Sequence, residues 1–274
     1  MSRHPDPWRA IDRQPTPERY AQVMEARGRT PTQVRLRRRF LRFCRIAPGW
    51  RVLEVGSGTG VVARDLAGLV GPRGRVTGVD RSRVLLAVAR RRAREERLDG
   101  RLQFRLGDAA ALPFRTGRFD CALAVTVLLH VARPQAMLHE LVRVTRPGGL
   151  VGLQDQDFGT QVLDHPDRTL TRRIFEGVTA RLYPEPFSGR TLVRRLVEQG
   201  LEHVRLLADV YQVRRLDPFT HSLLERRAAA AVEFGLISAR SAARWLAGVE
   251  RTDAAGHFVF TLNYYGAAGI KPSA

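Results

Sequence analysis

Short apolar runs alternate along this chain with stretches in which apolar residues recur every three or four positions. The first run, Val52-Leu53 and Val55, ends in a glycine-rich turn, and residues 61–67 that follow have helical spacing. Further runs predict strands at 75–79, 102–106, 121–131, 150–153, 203–213 and 257–264. Helical periodicity predicts helices over 16–26, 31–44, 83–97, 132–145, 168–182, 189–199, 217–234 and 238–249. Thr16-Pro17, Asp217-Pro218 and Ser238 supply helix starts, and Arg146-Pro147-Gly148-Gly149 stops a helix before the fifth strand. The run 121–131, CALAVTVLLHV, is almost wholly apolar, as a parallel strand buried on both faces is. Strands alternating with helices predict an α/β chain around a mostly parallel sheet. Residues 1–15 are Pro-rich and are expected to be extended. The helix over 168–182 is too long for a plain connection, which makes 164–187 a candidate lid.

Composition changes this picture little. With 274 residues and 44% hydrophobic content, the chain can bury one good core. Cys44 and Cys121 are the two cysteines, both in apolar surroundings and without metal-type spacing, so neither a disulfide framework nor a metal site is expected. The N-terminus has no apolar signal core, and no run approaches membrane-spanning length, which predicts a cytoplasmic protein with no membrane insertion. The net charge of +19 invites a nucleic-acid reading, but the basic residues are 45 arginines and one lysine, Lys271, spread along the chain. Arginine codons are mostly GC-rich, so the bias reads as a genomic habit. The dense runs 35–45 and 90–97 read as solvated helix faces, and no specific nucleic-acid partner is expected.

The chemistry sits where strands end. In RVLEVGSGTG, residues 51–60, an acid leads three alternating glycines: Glu54-x-Gly56-x-Gly58-x-Gly60. Glycines let the backbone turn tightly and approach a ligand, whose polar groups would meet free N–H groups at the helix start. A dinucleotide fingerprint, G-x-G-x-x-G, would need glycine at position 61, where Val61 stands. The pattern present resembles the first motif of the class I S-adenosylmethionine (SAM) methyltransferases. On the loop alone, a dinucleotide site and a tight turn with no ligand stay open. Asp80 ends the second strand twenty residues past Gly60, where nucleotide-binding sheets place a carboxylate on ribose hydroxyls; it could also cap the next helix. The segment Gly107-Asp108-Ala109, followed by Leu112-Pro113-Phe114, resembles the methyltransferase loop in which the acid meets the adenine amino group and the next residue packs on the ring. RVTRPGGLV, residues 143–151, resembles the R-V-L-K-P-G-G element of the same enzymes.

Residues of about 50–155 thus resemble the family that includes the ubiquinone/menaquinone biosynthesis methyltransferases and many natural-product tailoring enzymes. The resemblance implies a Rossmann-like seven-stranded sheet, mostly parallel with its last strand antiparallel, carrying helical cap and lid insertions. It divides the chain into a helical cap at 1–48 and a SAM-binding domain at 49–274, with insertions at 164–187 and 217–250. The implied cofactor is S-adenosyl-L-methionine, held by Glu54, Gly56, Ser57, Gly58, Thr59, Gly60, Asp80, Arg81, Asp108, Ala109, Val125 and Thr126. The implied activity is methyl transfer to the oxygen, nitrogen or carbon of a small-molecule substrate in a biosynthetic or natural-product pathway.

His130 follows the fourth strand, and an imidazole suits a general base, though a histidine bonded to backbone at the cleft edge is an equal reading. Asp155 and Asp157 are expected at the end of the fifth strand, the edge where open α/β sheets bind ligands. They could take a proton, hold a cationic substrate or chelate a metal, though two acids with no third clustered ligand are weak evidence for metal, and they could equally be solvated turn acids. No Asn/Asp-Pro-Pro-aromatic motif follows the fourth strand, which argues against nucleic-acid base methylation. The cofactor motifs leave open a fold of this kind that catalyses a cyclisation or another non-methylating step. A ligand-binding protein without activity is disfavoured by the complete motif set. A homodimer is left open.

Overall fold

The computed structural model describes residues 6–273. Its centre is β1 (Arg51–Val55), a five-residue strand whose Val52, Leu53 and Val55 are buried on both faces. It is flanked in parallel by β2 (Arg75–Asp80) and β4 (Phe119–Val125), with Val52 opposite Val76 on one side and Cys121 on the other. With β3 (Leu102–Leu106), β5 (Thr145–Leu163), β6 (Glu202–Val213) and β7 (Phe260–Ile270), the described residues form a seven-stranded sheet of order β3-β2-β1-β4-β5-β7-β6. β7 runs antiparallel to both β5 and β6. This is the expected Rossmann-like arrangement. The strand order reverses between β1 and β4, the point at which open sheets of this kind form a crevice.

Helices α1 (Pro17–Arg29), α2 (Pro31–Phe43), α3 (Val61–Val70), α4 (Arg83–Glu95) and α5 (Pro134–Val144) belong to the first half. The second half carries α6 (Arg168–Leu182), α7 (Ser188–Glu198), α8 (Pro218–Glu233) and α9 (Ala239–Ala254). On one sheet face, Phe40 of α2, Leu66 of α3 and Leu86 of α4 pack on Val52, Val76 and Leu123. On the other, Leu141 of α5 and Leu196 of α7 pack on Leu53, Ala122 and Val151. A third core joins α6, α8 and α9 to the far ends of β5, β6 and β7 through Ile174, Leu224, Trp245 and Phe260. Cys44 and Cys121 are free and buried. Among the described residues no helix is long and apolar enough to cross a membrane.

Several boundaries differ from expectation for definite reasons. The apolar run 121–131 is not one strand: β4 ends at Val125, Thr126 adopts a left-handed φ of 55°, and Leu128–His130 forms a 3-10 turn. Leu128 and Leu129 are apolar because they are buried, and burial is common to strand and turn. β5 does not stop near Leu153. Gln154, Asp155, Gln156 and Asp157 continue it, paired with β7, because buried partners satisfy each acid. β7 starts three residues later than expected, at Phe260, and runs on to Ile270. Residues 7–13 are not extended: Pro7–Arg13 forms 3-10 turns with Asp6 accepting from the Trp8 N–H, while residues 1–5 lie outside the described residues. The basic run of α2 is not simply solvated. Arg37 pairs with Asp65 at 2.6 Å, and Arg35 with the buried Asp209 at 2.8 Å.

The N-terminal elements are tied to the sheet's helices. Asp12 accepts hydrogen bonds from the Ser82 hydroxyl and from the Arg83 N–H (2.8 Å), at the first turn of α4. Glu25 of α1 pairs with Arg64 of α3 at 3.0 Å. Gly60, at the N-cap of α3, has a φ of 77°, and a Cβ there would lie 2.8 Å from Cζ of the Phe104 ring. Gly60→Ala therefore combines backbone strain with a clash against a packed ring, and should lower stability by about 1–3 kcal/mol. Urea unfolding would measure this; an unchanged midpoint would show that the loop relaxes freely.

Candidate functional site

A cavity of about 380 Å³ opens at the carboxyl ends of β1, β2 and β4. One end is walled by Val55, Gly56, Asp80, Arg81, Asp108, Ala109 and Thr126, the other by Leu129, His130, Phe158, Tyr183, Phe219 and Leu223. Trp8, Ile11, Met24 and Arg27 from the N-terminal elements close it from above the loop. Gly56 (φ 70°) and Gly58 (φ 51°) cannot be replaced without conflict, since Cβ atoms there would sit 2.4 Å from Val127 and 2.1 Å from Met24.

The glycine loop differs from a phosphate cradle. The N–H groups of Gly56 and Ser57 donate to the Val79 carbonyl, that of Gly60 to the Ser57 carbonyl, and that of Gly58 to Asp80 Oδ2 at 2.8 Å. These four N–H groups are therefore not free, contrary to expectation. What the loop offers is close approach and carboxylates, which suits a cofactor without a pyrophosphate. Asp80 also accepts from the Ser82 N–H at 2.9 Å, while the helix cap itself is the Ser82 side chain, which accepts from the Leu85 N–H. Each carboxylate oxygen keeps a second lone pair, so Asp80 can still accept from hydroxyls in the cavity. Burial raises its proton affinity.

Beneath the loop, Glu54 is buried and Oε2 has no hydrogen-bond partner among the described residues. Burial, then the nearby Asp80, pushes its carboxyl well above the usual range. A carboxyl so placed gains by meeting a cation. Ser57 Oγ and Thr59 Oγ1 are likewise buried and unbonded. The unsatisfied Glu54 oxygen and the Asp80 lone pairs suit a ligand that carries a cation and hydroxyls. Glu54, Ser57, Gly58, Thr59, Gly60 and Val125 lie behind the lining, whereas Gly56, Asp80, Arg81, Asp108, Ala109 and Thr126 are on it.

The three candidate acid–base residues separate. His130 lines the cavity, and its Nδ1 is hydrogen-bonded to the buried carboxylate of Asp6, 124 positions away in the chain. Its ring stands edge-on to Tyr183, with centroids 5.5 Å apart. The alternative of a histidine held by backbone does not describe its ring. Asp157 is not on the lining: Arg190 holds both its oxygens, one at 2.8 Å, and the Gly159 N–H donates to it at 3.0 Å. Asp155 is buried behind His130 and accepts from the N–H groups of Leu129 (2.9 Å) and Gln156 (3.0 Å). Neither aspartate is a solvated turn acid; both are interior to β5.

Sequence reasoning passed over Asp6, Trp8, Met24, Arg27, Tyr183 and Arg226. Only Asp6-Pro7-Trp8 carried a local signal, an Asp-Pro helix start beside an aromatic residue.

Residues 52–149 match the family model described as a methyltransferase domain. This stretch is a methyltransferase domain, and the fold around it is that of the class I SAM-dependent methyltransferases. Among particular relatives, it is 34% identical over 200 residues, 73% of this chain and 57% of the relative, to an uncharacterized 37.1 kDa protein in transposon TN4556 of Streptomyces fradiae. It is 29% identical to the ubiquinone/menaquinone biosynthesis C-methyltransferase UbiE of Ectopseudomonas mendocina, over 60% of this chain and 59% of that one. The chain thus spans under two thirds of the length of these relatives. Among solved structures, the [4+2]-cyclase SpnF superposes with a TM-score of 0.56 at 25% identity, over 90% of this chain and 85% of that one.

Burial raises the Asp155 carboxyl to about 6, and the two N–H donors and His130 offset this only in part. Between about pH 4 and pH 6 this group therefore holds more proton in the folded than in the unfolded chain, and its contribution to stability falls as pH rises through that window. Asp155→Asn does not titrate and should lack roughly 1–3 kcal/mol of that fall. Urea midpoints of both proteins from about pH 4 to pH 7 would measure the difference. Parallel profiles would contradict the buried-acid assignment.

Proposed function

We propose that this protein transfers a methyl group from SAM to a small-molecule acceptor in a biosynthetic pathway. The observation that carries the reading is one cavity with two ends. Asp80, Asp108 and the glycine loop stand at one end, and a His130–Asp6 pair stands against aromatic walls at the other. When bound, SAM supplies an electrophilic methyl group on a sulfonium. Asp80 would accept from the ribose hydroxyls, Asp108 and Ala109 would meet the adenine, and Glu54 would balance the ammonium group.

At the other end, Asp6 accepts from the Nδ1–H of His130, which leaves Nε2 as the basic nitrogen. Nε2 would take the proton of an acceptor hydroxyl as that oxygen is methylated. The 1–48 and 164–187 segments act as the cap and lid: Trp8, Met24 and Tyr183 stand over the cavity and keep water from it. Asp157, locked to Arg190, has a structural role in this account.

A second reading has one specific support, the likeness to the [4+2]-cyclase SpnF. In that case the fold would hold SAM without consuming it. Product formed with an equal amount of S-adenosylhomocysteine identifies methyl transfer; product formed with SAM intact identifies the second reading. If His130 is the base, His130→Gln should lower kcat by about 10²–10⁴-fold with SAM affinity nearly unchanged. Asp6→Asn should lower kcat in the same direction, by up to about 10⁴-fold, through loss of the tautomer it imposes. Steady-state kinetics with calorimetry for SAM would decide; near-normal rates in both variants would remove the pair from the mechanism.

A further inference from the structure

Genomic bias explains arginines at tolerant, solvated positions. It does not explain Arg227. This residue of α8 is 1% exposed, and Nε, Nη1 and Nη2 all lack a hydrogen-bond partner among the described residues. Its guanidinium carbon lies 4.4 Å from the Phe158 ring centre and 5.3 Å from that of Tyr183, both rings being walls of the cavity. The two rings are stacked on one another, 4.9 Å apart. Cation–π contact offsets part of the cost of burying this charge, but five N–H donors remain unanswered. Arg227 is not itself on the cavity wall but lies behind these two rings, and a buried cation without a counter-charge is expensive, so an anion on the cavity side of the rings lowers that cost.

Two further arginines converge there. Arg226, the next residue on α8, stands at the mouth of the cavity and donates to the Ser222 hydroxyl at 2.6 Å. Arg27 of α1 lines the cavity, lies over Phe219 and donates one N–H to the Tyr264 hydroxyl at 3.1 Å. Neither has a carboxylate partner within ion-pair distance among the described residues, unlike Arg35, Arg37, Arg64 and Arg190. Tyr183 is within electrostatic reach of Arg27, Arg226 and Arg227, and of the acid Asp6. Asp6 is already engaged with His130. This end of the cavity is therefore cationic, while the acids Asp80 and Asp108 lie at the cofactor end.

We propose that the methyl acceptor is an organic anion, a carboxylate or a phosphate monoester, whose charged group meets Arg27 and Arg226 on the cavity wall beside Tyr183, with Arg227 behind that ring adding its positive field, while its nucleophile faces His130. This deepens the proposed function and rests on it. Leu129, Phe158 and Leu223 on the same wall offer the acceptor an apolar surface. Guanidinium groups recognise both oxyanions through paired N–H donors, so the shared chemistry is the oxyanion itself.

The test uses the full chain loaded with S-adenosylhomocysteine. Calorimetry compares benzoate and phenyl phosphate with benzamide, a neutral analogue of similar size. At least one anion should bind about 10–100-fold more tightly than benzamide, and which one does identifies the source of the charge. Arg226→Gln, at the cavity mouth where folding is not at stake, should reduce that preference about 10-fold, and Arg27→Gln should act in the same direction. Equal binding of benzamide and both anions, absence of binding by either anion, or a preference that survives both substitutions would overturn the inference. Failure of S-adenosylhomocysteine to bind would instead overturn the cofactor reading beneath it. Intact cofactor binding without anion preference leaves that reading standing and removes only the anion site.

Discussion

The carboxylate of Asp80 is the tie on which the cofactor end of the cavity depends. Placed at the end of β2, it accepts from Gly58 in the loop after β1 and from Ser82 at the start of α4. Two segments that converge only in three dimensions are thereby fixed by one side chain. The tie is costly, because the group is desolvated and lies near a second buried acid, Glu54. Backbone N–H groups offset that cost without neutralising the charge, so both carboxyls keep an unmet demand for donors. Two such carboxyls beside a loop with no free N–H at Gly56, Ser57, Gly58 or Gly60 suit a cationic, hydroxyl-bearing ligand and not a pyrophosphate.

The other half of the cavity has a different origin. Leu129 and His130 after β4 and Phe158 of β5 are joined there by residues of the N-terminal 3-10 segment, α1, the end of α6 and α8, which are far apart in sequence. The N-terminal segment is fastened to the sheet's helices by Asp12 on α4 and Glu25 on α3, and these anchors hold Asp6 against His130. In the proposed account the strand ends alone meet the cofactor, whereas the acceptor end needs helices packed over the sheet to complete it.

The same division governs how much was legible in the sequence. β1, β2 and β3 could be read nearly to the residue, because short runs carrying apolar residues end at glycines or acids that force a turn. The seven-stranded topology followed from the resemblance of residues 50–155. β4 was overextended because Leu128 and Leu129 carry the same burial signal in a turn as in a strand. β5 was cut short because Gln154–Asp157 read as polar, and only the fold brings Arg190 and the Leu129 N–H to meet the acids. Asp6 and Arg227 were beyond reach for a related reason. Their significance lies in a partner gained across 124 residues in one case, and in partners lacking in the other.

The account's central claim is that the end of the cavity built around Asp80 binds SAM. Calorimetric titration of the folded chain, beside Asp80→Ala, tests it most directly. The account predicts one SAM per chain for the unaltered protein and an affinity about 10–100-fold lower for Asp80→Ala, since a hydrogen bond to a charged group contributes about 1.5–3 kcal/mol. An unaltered protein that does not bind SAM, or a folded Asp80→Ala variant that binds it equally well, would contradict the account.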